Sequence, residues 1–163
     1  MKRLALGLAV ALLFAAFPVR AAETYETMLI GDAARPASHV MFHASCGDEC
    51  FAASLDCDDT GAVSFEFGDV EAKIAAAAMT RKGQDFAVKI GGTSFSFVIL
   101  NLKYGGEMYG TWLVTGGLPG TSQAPEFTAA LGKAKEFKAS VGNVGLTLPV
   151  TADVKTWASA CGK

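Results

Sequence analysis

The chain has 163 residues, a formal net charge of −2 and 51% hydrophobic residues, a size and composition typical of one globular domain. The acidic balance argues against nucleic acid or anionic lipid as a partner. An even number of cysteines, four, predicts two disulfides if the chain reaches an oxidising compartment.

Residues 1–21 are predicted to be a secretory signal peptide. Lys2 and Arg3 form a positive start, an apolar run extends from Leu4 to Phe17, and Val19-Arg20-Ala21 suits cleavage after Ala21. The run is shorter than the roughly 20 residues that a membrane span needs. We therefore expect residues 22–163 to form a single exported domain, periplasmic or secreted, with no membrane span after cleavage.

The first half of this domain has the period-two alternation of β-strands. Residues 39–46, 51–57 and 63–67 alternate apolar and polar side chains and are separated by turn residues. They predict an antiparallel meander. The next segment, 69–83, predicts a helix, with Asp69 as its N-cap, an alanine run and Gly83 at its end. A strand is the alternative, because Val70, Ala72, Ile74 and Ala76 also alternate with other residues.

The second half predicts two hairpins, a further strand and two short helices. The first hairpin surrounds Gly91-Gly92, and a strand covers 108–115 up to Gly116-Gly117. A helix over 124–135, a second hairpin-like pair and a terminal helix over 150–160 follow. The two hairpins match at a constant offset of 51 residues, so that Phe86 corresponds to Phe137. This is either a duplication or a coincidence of two similar lengths.

The fold class expected from these elements is α+β. It has a mostly antiparallel sheet of about eight strands, two or three short helices and disulfide staples.

His39, Met41 and His43 are the first candidate site, because at a period of two they share one face of a strand. Imidazole and thioether together suit copper, and imidazole alone suits zinc. Same-face neighbours on one strand are about 6.5–7 Å apart, so three residues of one strand do not easily reach one ion. A further ligand would have to come from Met28 or a carboxylate. The alternative is a half-exposed polar strand face with Met41 packed under a neighbour.

The cysteines are the second candidate. Cys46 and Cys50 have three residues between them, which is not the spacing of a C-x-x-C redox motif. Zinc bound by Cys46, Cys50, Cys57 and a histidine is a formal alternative. We expect disulfides instead, Cys46–Cys50 across a turn and Cys57–Cys161 between the meander and the last helix.

The loop at residues 56–61 is the third candidate, and over this one loop it resembles the EF-hand calcium motif. Asp56, Asp58 and Thr60 stand at its first, third and fifth positions. The twelfth position, where a bidentate Glu is needed, is Phe67, and the flanking segments predict strands. A hairpin turn in which Asp and Gly supply the local geometry is the alternative.

An acidic block covers the same region. No Lys or Arg lies between Arg35 and Lys73, and the predicted partner face is Asp48, Glu49, Asp58, Asp59 and Glu66. Such a block is either a solvated face or a surface for a basic envelope or host protein.

Motifs for catalysis are few. The chain has only two histidines, with no nucleophile arrangement beside them, and no phosphate-binding or dinucleotide-binding fingerprint. The sequence predicts a non-catalytic binding protein of the bacterial cell envelope without a cofactor. A periplasmic copper- or zinc-binding protein and an enzyme with an undetected carboxylate site are the alternatives.

Overall fold

The computed structural model of the chain describes residues 24–44, 51–70, 86–104, 112–142 and 144–161. These residues form nine strands and two α-helices, which we number in chain order. The strands are β1 (Tyr25–Ile30), β2 (His39–Ala44), β3 (Phe51–Cys57), β4 (Val63–Val70), β5 (Phe86–Ile90), β6 (Thr93–Tyr104), β7 (Trp112–Gly117), β8 (Glu136–Val141) and β9 (Val144–Pro149). The helices are α1 (Ala124–Lys133) and α2 (Ala152–Cys161), and a 3₁₀ turn (Thr121–Gln123) precedes α1.

The nine strands make one antiparallel sheet in the order β1-β2-β3-β4-β7-β6-β5-β8-β9. The long strand β6 joins its two halves, since its first residues pair with β5 and its last ones with β7. The ring of Phe137 on β8 lies 5.7 Å from that of Phe42 on β2 and 6.2 Å from that of Phe65 on β4. The sheet therefore curls on itself, and its two halves share one core.

Alternation along the strands explains this core. Phe65 and Phe67 of β4 are fully buried, whereas Ser64 and Glu66 between them are half-buried on the other face. Phe86 of β5 packs against both aromatic rings. A period of two thus sends Phe65 and Phe67 inward from β4 and their neighbours Ser64 and Glu66 outward.

The helices cover part of this core. They pack against each other, and α2 also contacts β1 and β2. Trp157 of α2 is fully buried, and its Nε1–H donates a hydrogen bond of 3.0 Å to the carbonyl of Ser38, just before β2. On β1, Thr27 donates a hydrogen bond of 2.8 Å to the carboxylate of Asp153. The last helix is therefore anchored to the strands at the start of the sheet.

The repeated hairpins β5–β6 and β8–β9 have matching registers. Phe86 is opposite Phe97 in the first, and their counterparts at the offset of 51 residues, Phe137 and Leu148, are opposite each other in the second. The two hairpins are joined by the pairing of β5 with β8. In this pairing Val88 lies opposite Ala139, which is its counterpart at the offset of 51 residues. A local two-fold axis therefore relates the two hairpins, an arrangement that a duplicated hairpin would produce.

The structure confirms the main predicted features. The sheet is mostly antiparallel, the meander runs in order through β2, β3 and β4, and the described residues include two short helices close to the predicted bounds. The Cys57–Cys161 disulfide is also confirmed, with an S–S distance of 2.03 Å and a sequence separation of 104. Cys46 and Cys50 lie outside the described residues.

Two predicted elements are wrong in their bounds. Asp69 and Val70 belong to β4, not to a helix, because Val70 pairs with Trp112 of β7. Residues 71–85, the rest of the predicted helix, lie outside the described residues. Gly116 and Gly117 do not close a strand but belong to β7. The ring of Phe86 occupies the space that a Cβ at Gly116 would need, so a glycine within the strand admits this packing.

Candidate functional site

The histidines of β2 lie on the face of the sheet that is turned away from the core. Val40 and Phe42 are completely buried, so their neighbours His39, Met41 and His43 point to the opposite, outer side. All three are half-buried. These three residues therefore lie on one face of the strand, as the alternation predicts.

The edge strand β1 brings a second set of side chains to this face. Its antiparallel register with β2 sets Met28 opposite Met41 and Glu26 opposite His43. Side chains directly opposite each other have their Cβ atoms about 4.5–5.5 Å apart, closer than same-face neighbours along one strand. We call Glu26, Met28, His39, Met41 and His43 the His–Met face.

The two histidines of this face have different surroundings. His39 lies opposite Asp56 of β3, and its Nδ1 is 3.1 Å from Oδ2 of that carboxylate. A carboxylate that accepts a hydrogen bond from one ring nitrogen fixes the orientation of the ring and leaves Nε2 for another partner. His39 is thus held by its neighbour on the central side of the sheet.

His43 is enclosed without a partner. Its Nε2 is buried and makes no hydrogen bond, and among the described residues it is the one buried side-chain nitrogen or oxygen in that condition. The register between β2 and β3 shifts between Phe42 and His43, with the extra residue, Ala52, on β3, so that His43 lies opposite Phe51. A buried, unsatisfied nitrogen is costly and therefore needs an explanation, a bound ion being one.

The distances on this face limit which residues can share one ion. His39 and His43 are four residues apart on a strand, so their Cα atoms are about 13–14 Å apart. Metal–nitrogen bonds are only about 2.0–2.1 Å long, so an ion near Met41 can take one of these imidazoles but not both. Other donors on this side of the sheet are the thioethers of Met28 and Met41 and the carboxylates of Glu26 and Asp56. Within the described ranges, no three side chains of His, Cys, Asp or Glu are grouped closely enough to hold a metal ion.

The predicted calcium loop is the turn between β3 and β4. Oδ1 of Asp58 accepts hydrogen bonds from the Thr60 hydroxyl at 2.7 Å, the Thr60 amide at 2.8 Å and the Ala62 amide at 2.9 Å. Gly61 has a φ of 79°, which favours glycine. The carboxylate of Asp56 interacts with His39, and Phe67 at the twelfth position is in the core. The hairpin-turn interpretation accounts for these contacts, and calcium binding stays a prediction.

Replacing Asp58 with alanine should destabilise this turn by about 1–2 kcal/mol, because three hydrogen bonds to one exposed carboxylate are lost together. Chemical denaturation of the variant measures this loss. The substitution Asp59→Ala, at the neighbouring exposed acid, is the matched control and should change the free energy of unfolding by no more than about 0.5 kcal/mol.

The same turn predicts a pH dependence. Hydrogen bonds from Thr60 and Ala62 hold the pKa of the Asp58 carboxyl below its ordinary value, with a smaller contribution from the charge of Arg35. Its stabilising effect is therefore complete above the unfolded pKa of about 3.9 and is lost as the pH falls through the folded value. The difference in stability between wild type and Asp58→Ala should shrink below about pH 4. A difference that grew on acidification would contradict this account.

The predicted acidic partner face is only partly described. Asp48 and Glu49 lie outside the described residues. Asp58 is engaged in the turn, and Glu66 accepts a hydrogen bond of 2.8 Å from Thr115. Arg35 donates to the carbonyl of Cys57 at 3.2 Å, and its positive charge also acts on the adjacent Asp58. Binding of a basic partner here stays a prediction.

Sequence reasoning missed part of the His–Met face. Met28 was expected only as one possible further ligand, and Glu26 was not expected at all. Met28, Leu29 and Ile30 form an unbroken apolar run, which hides the alternation of β1. The exposed positions of Glu26, Met28 and Ile30, alternating with half-buried ones, show it clearly in the structure.

None of the helices in the described part of the chain is long and apolar enough to cross a membrane. Comparison with protein-family models, with curated proteins and with solved structures finds no match to this chain.

Proposed function

We propose that this chain is an exported, non-catalytic binding protein of the cell envelope and that its ligand is a soft metal ion bound on the His–Met face. The observation that carries the proposal is the register of β1 and β2, in which Met28 is directly opposite Met41, between His39 and His43. Thioethers select soft ions such as copper(I), and imidazole is compatible with them.

The strand that carries three of these side chains is firmly held. β2 lies between β1 and β3 in the sheet, and its alternate residues Val40 and Phe42 are completely buried. Met28, on the edge strand, is 47% exposed, so an ion from solution can reach its sulfur. A rigid interior strand beside an accessible edge strand suits a site that takes up an ion without rearranging the fold.

Export is part of the proposal. The predicted signal peptide over residues 1–21 supports it, and so does the Cys57–Cys161 disulfide, because disulfides persist in oxidising compartments such as the periplasm or the medium. An exported location also exposes the site to metal ions outside the cytoplasm.

Titration of the purified, disulfide-bonded protein with copper(I) tests the function. Copper(I) is supplied without oxygen from a coloured chelator of known affinity, and the colour lost reports transfer to the protein. We expect one equivalent bound with a dissociation constant of about 1 µM or below. Failure of the wild-type protein to take copper(I) at this level would overturn the proposal.

A matched pair of variants connects the binding to this face. Met41→Leu is nearly volume-conserving and removes the central sulfur, so binding should weaken strongly while the free energy of unfolding changes by less than about 1.5 kcal/mol. Ile30→Leu, on the outer side of β1, removes no donor and should bind as the wild type does. Equal binding by both variants would show that copper(I) sits elsewhere.

A further inference from the structure

We infer that the bound ion is copper(I) held by two sulfurs and one nitrogen, Sδ of Met28, Sδ of Met41 and Nε2 of His43, whereas His39 is not a ligand. This inference rests on the proposed function and assigns its ligands.

The two sulfurs belong together because of the strand register. Met28 and Met41 are directly opposite each other on the outer face, so their Cβ atoms are about 4.5–5.5 Å apart. Methionine has three rotatable bonds, which allow both sulfurs to converge on one point above the strands. A pair of neutral thioethers favours copper(I) over ions that prefer oxygen ligands.

His43 and His39 are at similar spacing from the Met28–Met41 pair, one on each side of it along β2. Their hydrogen bonds distinguish them. Nδ1 of His39 is paired with Asp56, a contact compatible with metal binding through Nε2, but the side chain is 27% exposed and has no buried nitrogen without a partner. Nε2 of His43 is buried and has no partner in the protein. An ion bound to this nitrogen would satisfy it, whereas an ion bound to His39 would leave it unsatisfied.

A carboxylate lies beside each imidazole of this face. Glu26 is directly opposite His43 on β1, and Asp56 is opposite His39 on β3. Both acids can balance the positive charge that an ion held by neutral ligands keeps. Charge therefore does not distinguish the two histidines, and the assignment depends on the unsatisfied Nε2 of His43.

Four variants of the full chain test the assignment in the same copper(I) competition. We expect Met28→Leu, Met41→Leu and His43→Gln each to weaken copper(I) binding by about 100-fold or more, because loss of even an outer partner of a ligand costs about 10–100-fold. His39→Gln is the matched control, because it removes the other imidazole of the same strand. This variant should bind copper(I) as the wild type does.

X-ray absorption of the copper(I)-loaded wild-type protein is the second measurement, and it needs no variant to fold. Two sulfurs and one nitrogen in the first shell are expected. A shell without sulfur, unchanged binding by Met28→Leu, or weakening by His39→Gln in place of His43→Gln would overturn the assignment while leaving metal binding itself intact. Absence of copper(I) binding by the wild type would instead overturn the proposed function.

Discussion

Removal of the Cys57–Cys161 disulfide by the double substitution Cys57→Ala/Cys161→Ala is expected to lower the free energy of unfolding by about 4–5 kcal/mol. The bond joins residues 104 positions apart, so it restricts most of the domain in the unfolded state. In the folded state it ties the last residue of α2 to the last residue of β3. Urea denaturation of the variant and the wild type measures the difference.

The single substitutions provide the control for this expectation. Each one removes the same covalent bond, so Cys57→Ala and Cys161→Ala should each cost nearly as much as the double variant. Trp157 remains available to hold α2 against the strands, because it is fully buried and bonded to Ser38. We therefore expect the double variant to fold with native secondary structure. If the wild type and the double variant were equally stable, the disulfide would not stabilise the protein by restricting the unfolded chain.

Replacement of Phe65 with alanine is expected to cost about 3–5 kcal/mol. Phe65 is completely buried on β4, and its ring contacts those of Phe67, Phe86 and Phe137. Phe137 belongs to β8, in the other half of the curled sheet. The substitution therefore leaves a cavity between the two halves, and loss of burial and the cavity both contribute to the cost.

Two variants show whether this cost comes from the shared core. Phe65→Leu keeps much of the apolar volume and should destabilise less than Phe65→Ala. Ser64→Ala, one residue earlier and on the opposite face, should change the free energy of unfolding by no more than about 0.5 kcal/mol. A loss of less than about 1 kcal/mol in Phe65→Ala would mean that the halves are not held together through this ring.

The period of two in the sequence was sufficient to predict the meander and both hairpins. Phe86, Val88 and Ile90 alternate with polar or small residues up to Gly91-Gly92, and the structure has that hairpin with its two-residue turn. Local composition was also sufficient for the two described helices, where Pro125 near the start of α1 and Thr151 before α2 mark the ends. These features depend on neighbours in the chain, so sequence reasoning reaches them.

Local helix propensity gave a wrong prediction where pairing with a strand distant in sequence determined the structure. Asp69 has the properties of a helix N-cap, but the adjacent Val70 pairs with Trp112 of β7, and both residues extend β4. Strand β1 has no clear alternation in the sequence, because Met28, Leu29 and Ile30 are all apolar, and its inner face is recognisable only from its contacts with β2 and α2. Partners distant in sequence outweigh local preferences of this size.

The His–Met face shows the same division. The sequence by itself determined that His39, Met41 and His43 share one side of a strand, because alternation along a strand is a local property. Only the tertiary structure decided that Met28 and Glu26 join them, that Asp56 holds His39, and that His43 is enclosed without a partner. The physical reason is that register between strands, and hence the neighbours of each side chain, is set by how the whole sheet packs on its core.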